Sequence, residues 1–264
     1  MYILKIAYDG RYSFQQQPHK ETVCDILLNT LEDIGILSKK KIIYSGGRTD
    51  KGVSALGNFV IVELKKEPIL SYINAKLKNK GIWVLGYKEI DEIPKVKYRH
   101  YRYILPNIDY NIETIKEGAK KLIGTHSFHN LSKRDRSKEK SHIRTIYDIK
   151  ISENDFYLTI DIIGESFLWN MVRKIVGALD LIGKGKKPVE WIDKLLDENH
   201  REGVPTFPPD GLILVEAKVD IDYIYDSYSI KKFREYWEEF FKLYVMKLGI
   251  AKTILDYTKI DTII

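Results

Sequence analysis

Apolar and polar positions change period several times along the chain, and the changes divide it into strands and helices. Tyr2–Tyr8 (YILKIAY) is rich in β-branched and aromatic residues and stops at the turn pair Asp9-Gly10, which predicts a strand. Val23, Ile26, Leu27, Leu31 and Ile34 then recur at three- and four-residue spacing, which predicts a helix over 22–37. A short strand over 41–44 ends at Gly46-Gly47, followed by a strand over 58–64, a helix over 68–79 and a strand over 82–87. The order β-α-β-β-α-β is that of a split βαβ, ferredoxin-like unit, whose helices cover one face of an antiparallel sheet.

A second pass of the same kind begins at Tyr98. Strong alternation predicts a strand over 98–105, and Ile112, Ile115, Ala119, Leu122 and Ile123 mark one face of a helix that stops at Gly124. Strands over 144–151 and 156–163 follow. The apolar stripe Phe167, Leu168, Met171, Val172, Ile175, Val176 and Leu179 predicts a long helix over 165–182. A shorter helix over 189–199, a strand over 212–218 and a terminal helix over about 231–248 complete the chain. The fold class is therefore α+β: two ferredoxin-like βαββαβ halves, residues 1–96 and 97–264, in one continuous, mostly antiparallel sheet with helices on one face. No low-complexity linker separates the halves.

Composition narrows the setting. With 264 residues, 44% of them hydrophobic, the chain is long enough for two domains of roughly 100 to 150 residues each. The single cysteine, Cys24, forms no internal disulfide and no multi-cysteine zinc site, which points to a reducing cytoplasm. No apolar run approaches the roughly 20 residues that span a bilayer, and the start MYILKIAYDG carries no signal-peptide pattern, so no membrane role is expected. The 43 Lys and Arg against 37 Asp and Glu give a net charge of +6, which favours a polyanionic partner. Charge is concentrated at 133–144 (KRDRSKEKSHIR), an exposed loop by its lack of apolar period, with six basic residues against two acidic ones.

The densest chemical candidate is Ser45-Gly46-Gly47-Arg48-Thr49-Asp50-Lys51-Gly52, in which two glycines permit a tight turn and leave Arg48, Asp50 and Lys51 on a loop. Taken alone, this is an ordinary polar turn between strands. It is no phosphate-cradling loop, because Lys51 precedes its glycine. His126, His129 and His142 lack a matching carboxylate or cysteine array, so no metal site is assigned. The C-terminal aromatics Phe233, Tyr236, Trp237, Phe240, Phe241 and Tyr244 have helical spacing and read as core or subunit contact.

Nine residues, Gly47 to Ala55 (GRTDKGVSA), closely resemble the GRTDxGVxA signature of the TruA family of tRNA pseudouridine synthases. Further stretches match in the same order: Tyr8-Asp9-Gly10 with Phe14, Arg99-His100-Tyr101-Arg102-Tyr103, Phe167 to Gly177 around Met171-Val172-Arg173, and Pro209-Asp210-Gly211-Leu212. The resemblance implies a cofactor-independent isomerase of uridine in tRNA, in or next to the anticodon stem-loop, with a basic cleft between the halves and a homodimer as the working form. By the same resemblance Asp50 is the nucleophile, Arg173 pairs with it, Tyr101 stacks on the target base, Arg48 helps to extrude that nucleotide, and Leu212 contributes to substrate binding. Gly124 to Phe128 resembles a loop that follows a helix in that family, and Tyr103 is structural. Lys133, Arg134 and Arg136 are candidate phosphate contacts from the charge run.

The chemistry suits those residue types. A carboxylate attacks a sugar or base carbon only while ionised, and an isolated buried one protonates, so a cation is required beside it. By spacing alone Arg173 is a surface arginine, one turn after Trp169 and off the apolar stripe of its helix. Two rivals remain open: a non-catalytic RNA-binding protein of the same fold, and a pseudouridine synthase acting on another RNA or position.

Overall fold

The computed structural model describes residues 1–107, 109–133 and 141–258. Its first half runs β1 (Tyr2–Tyr8), α1 (Val23–Asp33), β2 (Tyr44–Ser45), β3 (Ser54–Val62), α2 (Leu70–Leu77) and β4 (Ile82–Glu89). Thr22 caps α1 by accepting from the Asp25 amide, one of the donors that a helix start leaves unpaired. The second half runs β5 (Tyr98–Pro106), α3 (Ile112–Leu122), β6 (Gly124–Ser127), β7 (Ile143–Glu153), β8 (Tyr157–Gly164), α4 (Met171–Gly183), α5 (Trp191–Leu196) and β9 (Leu212–Lys218). A two-residue strand, β10 (Ile224–Tyr225), and a 31-residue helix, α6 (Ser227–Tyr257), follow.

All the described strands lie in one sheet of order β10-β4-β1-β3-β9-β5-β8-β7-β6, with β2 paired to β3. The first half has the ferredoxin-like order β4-β1-β3-β2, and β9-β5-β8-β7 repeats it in the second. Each pairing among the described strands is antiparallel except β3 with β9, which join the halves in parallel at Ser54↔Ile213 and Ala55↔Leu214. The loop that precedes β3 is thereby set beside the start of β9.

Alternation along the strands creates two faces. On one face, Leu4, Ile6, Ile82, Val84, Tyr101 and Ile160 share a core with Leu27, Ile73, Leu122, Ile175 and Ile192 of α1 to α5. The expectation of helices on one face is corrected for α6. Ala7, Trp83 and Leu85 point the other way, and Ile230, Phe233 and Tyr236 of α6 cover them, with the Phe233 and Tyr236 rings 5.8 and 5.7 Å from Trp83. Phe233 and Tyr236 are half-buried against that cluster, and from Phe241 onward α6 carries exposed apolar side chains.

Other boundaries also differ from expectation. The long helix begins at Met171, not near 165, because Asn170 takes a left-handed φ of 59° and breaks the helical run before it. Phe167 and Leu168 are therefore irregular chain leading into a turn at Trp169-Asn170, and Trp169 is not one helical turn before Arg173. Gly124–Ser127 pairs with β7 as an edge strand, where a loop was expected.

Candidate active site

Three separated stretches build the floor of the site through backbone contacts. Gly10 has φ 81°, and a side chain there would meet the Gly52 carbonyl oxygen at 2.7 Å; Gly52 N donates to Gly10 O at 2.8 Å. Phe14 N donates to Thr49 O at 3.0 Å, and Gly52 itself, at φ 96°, leaves no room for a Cβ beside Pro209. The opening Tyr8-Asp9-Gly10, the 46–52 loop and Pro209-Asp210-Gly211 are thus mutually seated.

Side chains complete the hold. Along the loop Arg48 is exposed, Thr49 is buried and Asp50 is half-buried, with Arg48 and Asp50 both on the cleft wall. Thr49 Oγ1 shares a 2.8 Å hydrogen bond with the Tyr8 hydroxyl. Asn58, fully buried, donates from Nδ2 to Gly47 O (2.9 Å) and to the Tyr8 hydroxyl (3.1 Å), and accepts at Oδ1 from the amides of Gly47 and Phe59 (2.9 Å each). Arg99 Nε donates to Gly46 O at 2.7 Å while its Nη1 reaches Glu165 O at 2.8 Å, which ties the loop to the chain entering α4.

Across the cleft, Arg173 Nη1 donates to Asp50 Oδ2 at 3.1 Å. The same guanidinium is fixed from behind: Nε donates to Phe207 O at 2.6 Å and Nη1 to Asn170 Oδ1 at 3.2 Å, while Phe207 N donates to Arg173 O at 3.2 Å. With side-chain exposures of 15% for Arg173 and 44% for Asp50, the cation is held by protein and the carboxylate stands open.

A cleft of about 1500 Å³ contains the pair and is also lined by Arg48, Tyr101, Leu212, Lys133, Trp169 and Arg144. Tyr101 is 7% exposed and packs edge-on against Phe167 with ring centroids 5.2 Å apart, so it is both core and cleft wall. Burial pushes its phenol up to about 12; Arg99 pulls it down and Asp50 adds to the rise. Tyr103 lies deeper, its hydroxyl donating to Pro208 O at 2.9 Å. The Lys133 ammonium stands 4.3 Å from the centre of the Trp169 ring. Arg134 and Arg136 lie outside the described residues.

The comparisons with known proteins decide the family. Over 98% of this chain and 100% of the relative, 87% of residues are identical to a tRNA pseudouridine synthase A of Methanocaldococcus jannaschii. The chain belongs to the tRNA pseudouridine synthase family. A second synthase A, from Methanococcus maripaludis, is 53% identical over 98% of this chain and 100% of its own length. The family model described as tRNA pseudouridine synthase matches residues 119–220, which include Arg173 and Leu212. A solved structure titled as a Cbf5-Nop10-Gar1 complex is 14% identical, aligns over 68% of this chain and 45% of that one, and has a TM-score of 0.37.

Of the candidate residues for this synthase, Arg48, Asp50, Tyr101, Lys133, Arg173 and Leu212 line one cleft. Sequence reasoning missed Asn58, Arg99, Trp169 and Asn170. Arg99 was visible only as a letter of the Arg-x-Tyr-x-Tyr string, and Asn58 only as the first residue of an apolar run. His129, set aside as a metal ligand, receives a hydrogen bond from or donates one to Ser127 Oγ through Nδ1 (3.1 Å), and its Nε2 lies 2.7 Å from His200 O.

Proposed function

We propose that this cleft isomerises uridine to pseudouridine in or next to the anticodon stem-loop of tRNA, with Asp50 as the covalent nucleophile. The observation that carries the reading is the Asp50–Arg173 contact of 3.1 Å on the wall of a cleft also lined by Tyr101. In the reaction the N1–C1′ bond breaks, the uracil rotates while bound, C5 bonds to C1′, the hydrogen on C5 leaves to solvent as a proton and N1 takes a proton up. One proton is lost and one gained with no change of oxidation state, so no cofactor enters the scheme. The Asp50 carboxylate supplies the electron pair that holds the reacting fragment, at C1′ or at C6 of the base, and receives it back when the bond to Asp50 breaks.

The flanking groups divide the remaining work. Arg173 keeps the carboxylate charged and oriented, since an anion beside a fixed guanidinium favours its ionised form. Tyr101 gives the extruded base an aromatic surface, and Leu212 an apolar one. Arg48 has no hydrogen bond or ion pair among the described residues, which leaves its guanidinium available to the substrate backbone. Lys133, with Arg134 and Arg136, adds positive charge for phosphates. The halves 1–96 and 97–264 supply Asp50 and Arg173 respectively, and a second copy is placed against the exposed apolar side chains of α6. Among the described residues no helix is long and apolar enough to cross a membrane, and we place the protein in the cytoplasm with its tRNA.

Tritium at C5 of uridine reports the reaction directly. tRNA labelled only in the anticodon arm is expected to release tritium to water with catalytic amounts of protein. Release only from label in another arm overturns the placement, and no release from any arm overturns the isomerase reading in favour of an RNA-binding role.

A further inference from the structure

Trp169 contributes little to the core. Trp83 and Trp191 are 3% and 4% exposed, whereas Trp169 is 48% exposed on the wall of the cleft that holds Asp50. Its position is built by its neighbours. Asn170 adopts a left-handed backbone that side chains rarely take, and the same residue accepts from Arg173 Nη1, so one strained residue both ends the turn carrying the indole and steadies the cation paired with Asp50. Lys133 N donates to Trp169 O at 2.8 Å, and the Lys133 ammonium covers one face of the ring at 4.3 Å. Arg144 lines the same cleft, and its buried Nε has no hydrogen-bond partner among the described residues.

We propose that Trp169 is the stacking platform for the nucleotide next to the extruded uridine, with Lys133 and Arg144 taking the phosphates on either side of that nucleotide. The inference rests on the isomerase reading above and extends it to a second subsite. Extruding one nucleotide strips a stacking partner from its neighbour, and the loss falls on the enzyme unless a surface replaces it. An indole does so without regard to base identity, because every base has a π-face. A cation already seated over one face of the ring places positive charge next to the phosphate that must follow.

The test uses the full chain with an anticodon stem-loop RNA and with two versions carrying an abasic residue on the 5′ or the 3′ side of the target. Trp169→Ala should raise KM, and Kd measured under non-turnover conditions, by roughly 5- to 150-fold, the effect of removing one aromatic–base stack. Its single-turnover rate at saturating RNA should stay within about threefold of wild type, and Trp169→Phe should recover most of the affinity. One of the two abasic RNAs should weaken binding to wild type by a similar factor and cost Trp169→Ala almost nothing further. An unchanged Kd in Trp169→Ala, or abasic penalties as large in that variant as in wild type, overturns the platform. Because Kd is read without turnover, the platform stands or falls separately from tritium release.

Discussion

Asp50 is positioned less by its own contacts than by those of its neighbours. Asn58 satisfies both backbone groups of Gly47 and shares the Tyr8 hydroxyl with Thr49, the residue just before Asp50. Asn58→Ala would leave a buried amide, a carbonyl and a phenol short of partners, a loss of about 2 to 3 kcal/mol in urea unfolding, with a lower single-turnover rate because the loop is freed. Tyr101 offers a second check. Burial raises its phenol to about 12, so it stays protonated, and the pH–rate profile should show no limb from it below pH 11 or so. Tyr101→Phe should then keep the wild-type profile and most of the rate, while Tyr101→Ala loses the platform and slows by orders of magnitude; an inactive Phe variant would instead implicate the hydroxyl in proton transfer. At this scale the Gly47–Ala55 string made Asp50 legible. The role of Asn58 was not, because its amide acts on a residue eleven positions earlier and an apolar strand pattern says nothing of such a reach.

Elements show the same division between local and tertiary signals. Strong periodicity placed β1, β5, β8, β9 and α1 to α3 near their observed positions, since alternation and helical spacing directly express which side faces the core. The start of α4 was misplaced because Phe167 and Leu168 fit the stripe by type, whereas the left-handed backbone of Asn170 leaves no periodic signature. The β5–β8 pair carries a cluster with a measurable signature. Asp161 on β8 accepts from Arg102 Nε (2.8 Å) and lies 2.6 Å from His100 Nε2, both on β5. Burial pushes its carboxyl up, but the hydrogen bonds from Arg102 and His100 outweigh that and hold it below the ordinary value. A depressed carboxylate contributes stability above its unfolded pKa of about 3.9, and that contribution is lost as pH falls through the lower folded value. Asp161→Asn should therefore cost about 1 to 2 kcal/mol at pH 7 by chemical denaturation, with the gap to wild type narrowing steadily below pH 4.

For the whole molecule, the parallel contact of β3 with β9 joins the halves. It brings Asp50, at the end of a loop in the first, within reach of Arg173 on a helix of the second. Two residue pairs carry no periodic signature, so the junction was inferred from the lack of a linker and its register was not legible. The distal part of α6 was equally hidden: its spacing is helical throughout, but which residues find a partner depends on where the sheet ends. Met246, Ile250 and Tyr257 share one side of the helix and are 61%, 62% and 77% exposed, an apolar surface that a second copy would cover. Sedimentation should give twice the 30.9 kDa of one chain, and Met246→Lys with Ile250→Lys should give a single copy. A monomeric wild-type protein at micromolar concentration would contradict this assembly.

Whether Asp50 is the nucleophile is decided by Asp50→Asn. The substitution is nearly isosteric but cannot act as an anionic nucleophile, so tritium release from C5-labelled tRNA should fall to background. Affinity for tRNA should stay within about tenfold, because phosphate contacts dominate binding. Arg173→Ala should be as inactive, and the double variant no worse than either single one, since the two groups serve one step. Measurable turnover by Asp50→Asn would mean that another group is the nucleophile.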